Sequence, residues 1–384
     1  MRGVGITAAV LACAAAAAGA CSSSSGGGGE SARDAGAPDS GPIDPAIPPM
    51  PPPPPDTTVH CETDKQADGL YQHLQCAGLY TDIHSKTLAA GLRSYTPALV
   101  LWADGAEKNR WLDLPAGQKI DTTDPDEWIW PVGTRVWKEF QYAGRRYETR
   151  LYTKNGDGVW QHTAYVWNVD GSDAVRNDGG KEIPPLTPDG TPYEVPSGNE
   201  CNSCHAGKKD KLLGLEGVNL GLPGAQGITL ASLVADDLVT VPFTSTTVAF
   251  PEDATGKAAD ALAWLHVSCG PCHNRSGDSN ASNSNVRFLT YASDLAMAKT
   301  VDQLDAFLTT VDKPTSVAIP DAGGADFQII ERGDPSSSLA SWLSGRRVPP
   351  PGMPTYEEQM PPIVTRVVDT TGHAKLDAWI SALP

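Results

Sequence analysis

The sequence predicts an α+β protein, with an antiparallel β-rich domain followed by a mainly α-helical region. Three observations carry this expectation. Between residues 97 and 200, short runs of β-branched and aromatic residues alternate with turn signals. From about residue 255 onward, apolar residues recur at helical spacing. Between residues 21 and 59 neither pattern exists.

Residues 1–20, "MRGVGITAAVLACAAAAAGA", carry one charge at Arg2, then an Ala-rich apolar run ending in small residues. That is an export signal, too short to span a membrane. "AGAC" resembles a lipobox with Ala18 and Ala20 at its small positions, which makes Cys21 the expected acylated residue. Cys13, after "VLA", is the competing position, and ordinary secretion with cleavage nearby is the competing outcome. Residues 21–59 run from "SSSSGGGGE" into "PPPPPD" and bury little, so they read as a flexible and then stiff tether. The expected location is therefore a bacterial cell envelope, as a periplasmic or outer-membrane-attached lipoprotein, where disulfides persist. A net charge of −17 opposes nucleic acid and anionic membrane surfaces, leaving the lipid anchor as the expected membrane contact.

In residues 60–96, Cys61 and Cys76 flank "ETDKQADGLYQHLQ", which reads as helical. The expectation is a disulfide that staples this helix to its flank, because two free thiols suit an oxidising compartment poorly.

Residues 97–200 form the expected β-rich domain, with strands at "ALVLWADG", "RVWKEFQY", "RYETRLYT" and "GVWQHTAYVWNV". "YAGRRY" and "KNGDGV" read as hairpin turns, since Gly and Asn-Gly tolerate positive φ. Trp128, Trp130, Trp160 and Trp167 lie here. They read as sheet core and packing, with an aromatic ligand surface as the sharper alternative.

Two short stretches carry chemistry: "CNSCH", Cys201 to His205, and "CGPCH", Cys269 to His273. CxxCH is the c-type haem attachment pattern. Two thiols one helical turn apart can reach both haem vinyl groups, and the adjacent His then comes under the iron. The expected cofactors are thus two covalently attached haem c groups, on Cys201, Cys204, Cys269 and Cys272, with His205 and His273 as proximal iron ligands. A thioredoxin-like dithiol at "CGPC" would leave the second CxxCH unexplained, and a four-thiolate zinc site would leave both His residues idle.

Residues 201–254 make up the first haem segment, with a short helix expected at "ITLASLVADD". Residues 255–384 read as a cytochrome c-like domain. A helix at "GKAADALAWLHVS" enters the motif, and "SDLAMAKTVDQLDAFL" places Met297, Val301, Leu304 and Leu308 at helical spacing, with Met297 in the core. A Met-bearing loop follows, and a last helix, "TGHAKLDAWISAL", packs back on the first. Met360 is the expected sixth ligand opposite His273, a soft thioether that raises the reduction potential. Met353 is its competitor.

With these residues in view, the chain from about residue 68 onward resembles a family of bacterial dihaem c-type cytochromes without a defined function. The matching stretches are "WADGAEKNRWLDLPAG", "WPVGTRVWKEFQYAGRRYETRL", "AYVWNVDGSDA", "CNSCH" with "LLGLEGVNL", "AWLHVSCGPCH" and the closing "MPP" before "WI". The resemblance implies a β-rich N-terminal part fused to cytochrome c-like helices, with haem attachment and proximal ligation at both motifs. It supplies no substrate.

The expected function is electron transfer between exported or membrane-bound redox partners. A haem enzyme of peroxidase or oxidase type, using an open first haem, is the alternative, and a haem-containing binding or sensory module a third. No Met lies between His205 and Cys269. The first haem is therefore expected to take its distal ligand from His266, His162 or Met353, or to have none, and to sit at the lower potential.

Overall fold

A computed structural model describes residues 59–184, 190–279, 281–315, 327–347 and 359–384. The signal, Cys21, the tether up to residue 58 and Met353 lie outside the described residues. The strands are β1 Tyr80–Asp82, β2 Thr87–Leu88, β3 Arg93–Ser94, β4 Glu107–Asp113, β5 Arg135–Tyr142, β6 Arg145–Lys154, β7 Trp160–Trp167, β8 Ala174–Arg176, β9 Gly179–Ile183 and β10 Tyr193–Ser197. The helices are α1 Cys61–Asp64, α2 Gly198–His205, α3 Gly217–Gly221, α4 Leu230–Ala235, α5 Ala258–Ser268, α6 Ala292–Ala296, α7 Asp305–Leu308, α8 Leu339–Ser344 and α9 Thr370–Ala382.

An antiparallel meander in the order β3-β4-β5-β6-β7-β8 forms the main sheet, and β9 pairs with β10 beside it. The chain reverses between β5 and β6 at Ala143 and Gly144, with φ of 48° and 76°. Two successive positive φ values suit the right-handed twist of a hairpin. At the next turn the Asn155 side chain accepts N–H bonds from Asp157 and Val159, at 3.1 and 2.9 Å. Both hairpins stand where the turn residues place them.

Because side chains alternate across a strand, the sheet has two faces with different partners. Trp111, Trp137, Leu151, Tyr165 and Trp167 point to one face and pack on Leu70, Leu74, Leu79 and Tyr80 of the preceding segment. Leu112, Val136 and Tyr152 point to the other, with Trp128, Trp130 and the helix residues Leu220, Leu230 and Leu233. Trp128, Trp130 and Trp167 are thus core. Trp160 is partly buried against the second face, its Nε1 donating to Asp210 Oδ1 at 2.8 Å.

Three elements differ from the sequence reading. Residues 62–75 are not one helix. Only α1 and a single 3-10 turn at Leu74–Cys76 form, because Lys65 bridges Tyr71 and the Gly69 φ of 88° turns the chain between them. Cys61 and Cys76 are joined by a disulfide across this loop. "ALVLWADG" is irregular rather than a strand, and its neighbour "EKNRWLD", unassigned from sequence, is β4. "SDLAMAKTVDQLDAFL" breaks into α6, a 3-10 turn and α7, since Ala298 adopts a φ of 53°. Met297 therefore faces solvent, 64% exposed, not the core.

The helical core is built on α5 and α9. Ala258, Ala261, Leu262 and Leu265, spaced as one helix face, meet Leu376, Trp379 and Ile380. Asp369 caps α9 by accepting Gly372 N–H at 2.9 Å and also takes Trp264 Nε1–H at 2.8 Å. The contact is close enough that a Cβ on Gly372 would fall 1.9 Å from that indole nitrogen. Trp379 is fully buried, its Nε1 donating to Asp253 at 3.0 Å. Trp379→Ala should cost about 3–5 kcal/mol in denaturant unfolding, whereas Met297→Ala should stay within about 0.5 kcal/mol.

Candidate functional site

Each CxxCH motif is delivered by a different local device. Ser197 and Glu200 form a capping box, the Glu200 carboxylate accepting Ser197 N–H at 2.7 Å while Ser197 Oγ caps Glu200 N–H. This starts α2 at the end of β10, so Cys201 and Cys204 fall on one face of its last turns. The second motif begins where α5 ends. Cys269 caps that helix, and its carbonyl accepts the N–H of Cys272 and of His273 at 3.2 and 2.9 Å.

The two motifs touch. Cys272 Sγ–H reaches the Ser203 carbonyl at 3.5 Å, and the Cys204 and Cys272 thiols lie near enough to shift each other's acidity. Backbones meet as well, since a Cβ on Gly207 would lie 1.9 Å from the Pro271 carbonyl oxygen. Gly207 gave no signal in the sequence, because nothing local distinguishes a glycine required by a distant segment. The thiols differ in acidity. Accepting from Cys272 lowers Cys204, the same pairing and burial raise Cys272, and burial alone pushes Cys269 up to about 12. Burial also raises Cys201.

All four cysteines, His205, His273 and Met360 line one cavity of about 550 Å³. This volume falls in the range of cofactor sites. The His205 Nδ1–H donates to the Lys211 carbonyl, which fixes the tautomer and leaves Nε2 as the free nitrogen. The His205 ring stacks on Tyr152, centroids 4.2 Å apart. His273 stands edge-on to Phe288, and its buried Nδ1 has no hydrogen-bond partner of good geometry. Burial holds both imidazoles neutral, His205 well below its usual range and His273 at about 4. A neutral imidazole with an unengaged nitrogen is what iron ligation requires. The residues present fit a haem at each motif on these grounds. A four-thiolate zinc site does not fit, since among the described residues no three His, Cys, Asp or Glu side chains converge on a metal-sized point.

Met360 packs beside Phe327, Leu339 and Leu343, tied by its N–H to the Leu343 carbonyl at 2.9 Å. The irregular segment after it is anchored to the β domain. Asp104 accepts the N–H groups of Arg366 and Val367 at 3.0 and 3.1 Å, and Trp102 Nε1 donates to the Val367 carbonyl at 2.8 Å.

The His candidates for a distal ligand to the first haem are both engaged elsewhere. His162 Nε2 is bonded to the Gly198 carbonyl at 3.0 Å, and its ring stacks on the face of Tyr152. His266 is buried; its Nδ1 accepts Thr290 N–H at 3.2 Å, so its Nε2–H donates to Glu216 at 3.3 Å. Neither lines the cavity.

No family model matches the chain, and no curated protein or solved structure matches it.

Two outcomes test this geometry. Gly207→Ala should cost roughly 1–3 kcal/mol in denaturant unfolding by pushing the motifs apart. Gly277→Ala, whose Cβ would meet nothing within 4 Å, should be near neutral. Glu216 reports on the His266 contact. Burial raises its carboxyl, but the His266 hydrogen bond, Lys208 and the Asn219 N–H together bring it down to about 2. A depressed folded pKa stabilises above the unfolded value of about 4.3 and is lost as pH falls through about 2. Between those pH values the wild type should lose roughly 2 kcal/mol more stability than Glu216→Gln.

Proposed function

We propose that the chain is an exported dihaem c-type cytochrome, similar to the bacterial dihaem family that its motifs resemble, passing electrons between redox partners of the cell envelope. The observation that supports this reading most is the shared cavity, into which both CxxCH motifs and Met360 turn. Cys201 and Cys204 would hold one haem and Cys269 and Cys272 the other, each thiol adding across a vinyl group so that sulfur bonds to one carbon and the proton goes to the other. His205 and His273 would be the proximal ligands and Met360 the thioether opposite His273. Haem iron supplies reversible one-electron chemistry when bound. The protein's own part is to keep both imidazoles neutral, to exclude bulk water with the α5–α9 core, and to fix the Met360 segment through Asp104. That arrangement supports reading residues 255–384 as a cytochrome c-like unit. Acylation at Cys21 would attach the protein to a membrane and leave the body facing solvent.

A second reading is a haem enzyme with an open first site. It is favoured by the engagement of His162 and His266, neither of which lines the cavity.

Intact mass after expression with the haem-attachment machinery should show two haems, and one after Cys201 and Cys204 are both replaced by Ala. A wild-type chain carrying fewer than two contradicts the proposal. Met360→Ala should lower the midpoint potential of one haem and leave the other unchanged. Peroxide turnover with a reduced donor separates the enzyme reading from the carrier.

A further inference from the structure

The sheet face that floors the cavity carries more positive charge than the described residues neutralise. Strand register places Arg110 of β4 opposite Lys138 of β5, and Lys138 opposite Arg150 of β6, a row of three cations across neighbouring strands. Lys108, two residues along β4 on the same face, joins them, and all four line the cavity. Like charges directly opposite each other destabilise a sheet, and a buried cation without a partner costs several kcal/mol.

Among the described residues only Arg150 has a carboxylate, Glu148, which it grips through Nε at 3.0 Å and through Nη2. That carboxylate is already shared with the Tyr193 hydroxyl at 2.5 Å. Among the described residues the other three hydrogen-bond to backbone carbonyls alone, Lys108 to that of Leu101, Arg110 to that of Lys108 at 3.2 Å and Lys138 to that of Leu213 at 3.4 Å, while Lys108 Nζ also lies 5.6 Å from the centre of the Phe140 ring. Burial lowers all three, Lys138 to about 7. Glu139 cannot help, since it points to the opposite face, held by Tyr80 and Arg146.

We propose that Arg110, Lys138 and Arg150, with Lys108 beside them, form a carboxylate-binding site in the cavity floor. An Arg fork and an adjacent ammonium match a carboxylate by hydrogen bonding as well as charge. Two sources share that chemistry: the propionates of a haem held by the motifs, which rests on the functional reading above, and a free small dicarboxylate.

The test uses the haem-loaded full-length protein with Lys138→Met, Arg110→Gln and the charge-conserving Lys138→Arg, with haem number checked by intact mass. If propionates are bound, both charge-removing variants shift one haem to lower potential, Lys138→Arg shifts it far less, and succinate leaves the wild type unchanged. If a free dicarboxylate is bound, succinate raises the wild-type unfolding temperature in a saturable way and both charge-removing variants lose that response. Either pattern supports the site. Potentials unchanged in both variants, together with no variant-sensitive effect of succinate, overturn it. A wild-type chain with fewer than two haems counts against the functional reading instead, and the succinate response then decides the site by itself.

Discussion

The two CxxCH motifs come from places far apart in the chain, yet Cys272 Sγ–H reaches the Ser203 carbonyl at 3.5 Å, and much of the architecture follows from keeping them there. Gly207 must lack a side chain so that the Pro271 carbonyl can approach. The Ser197–Glu200 capping box fixes where α2 starts, and the α5–α9 core fixes where α5 ends. With the motifs back to back, their histidines open on a common cavity and are buried enough to stay neutral.

The β domain then acts as floor and as anchor. One sheet face carries Trp111 and Trp137 into a buried core closed by residues 70–80. The other offers a row of cations and the Tyr152 ring, on which His205 lies. The irregular segment before β4 ends at Asp104, whose carboxylate gathers the backbone of residues 366 and 367. Position of Met360 is thereby tied to the sheet as well as to α8. Carboxylates bound at the proposed site would offset the repulsion within this row of cations and so link stability to binding.

Much of the site was legible because CxxCH spacing is local: the motif specifies its own geometry within one turn. The strands at 135–142 and 145–154 were legible for the same reason, since their alternation and the Ala-Gly turn agree. "EKNRWLD" escaped because its cavity face carries Lys108 and Arg110 where an ordinary strand would show apolar residues. "ALVLWADG" misled in the opposite sense, its Leu101, Trp102 and Ala103 lining a cavity instead of a sheet. The helical spacing around Met297 was interrupted by a left-handed residue at Ala298, which no periodicity reveals. Gly207, the Asp104 anchor and the cation row depend on segments remote in sequence.

Two haems sharing one cavity, held by motifs that pack against each other, would lie close together. Circular dichroism in the Soret region reads this most directly, because two neighbouring haems couple excitonically and isolated ones do not. A bisignate Soret band is expected in the wild type, collapsing to a single simple band when Cys201 and Cys204 are both replaced. A wild-type spectrum equal to the sum of two uncoupled haems, or one with no Soret absorption, would contradict it.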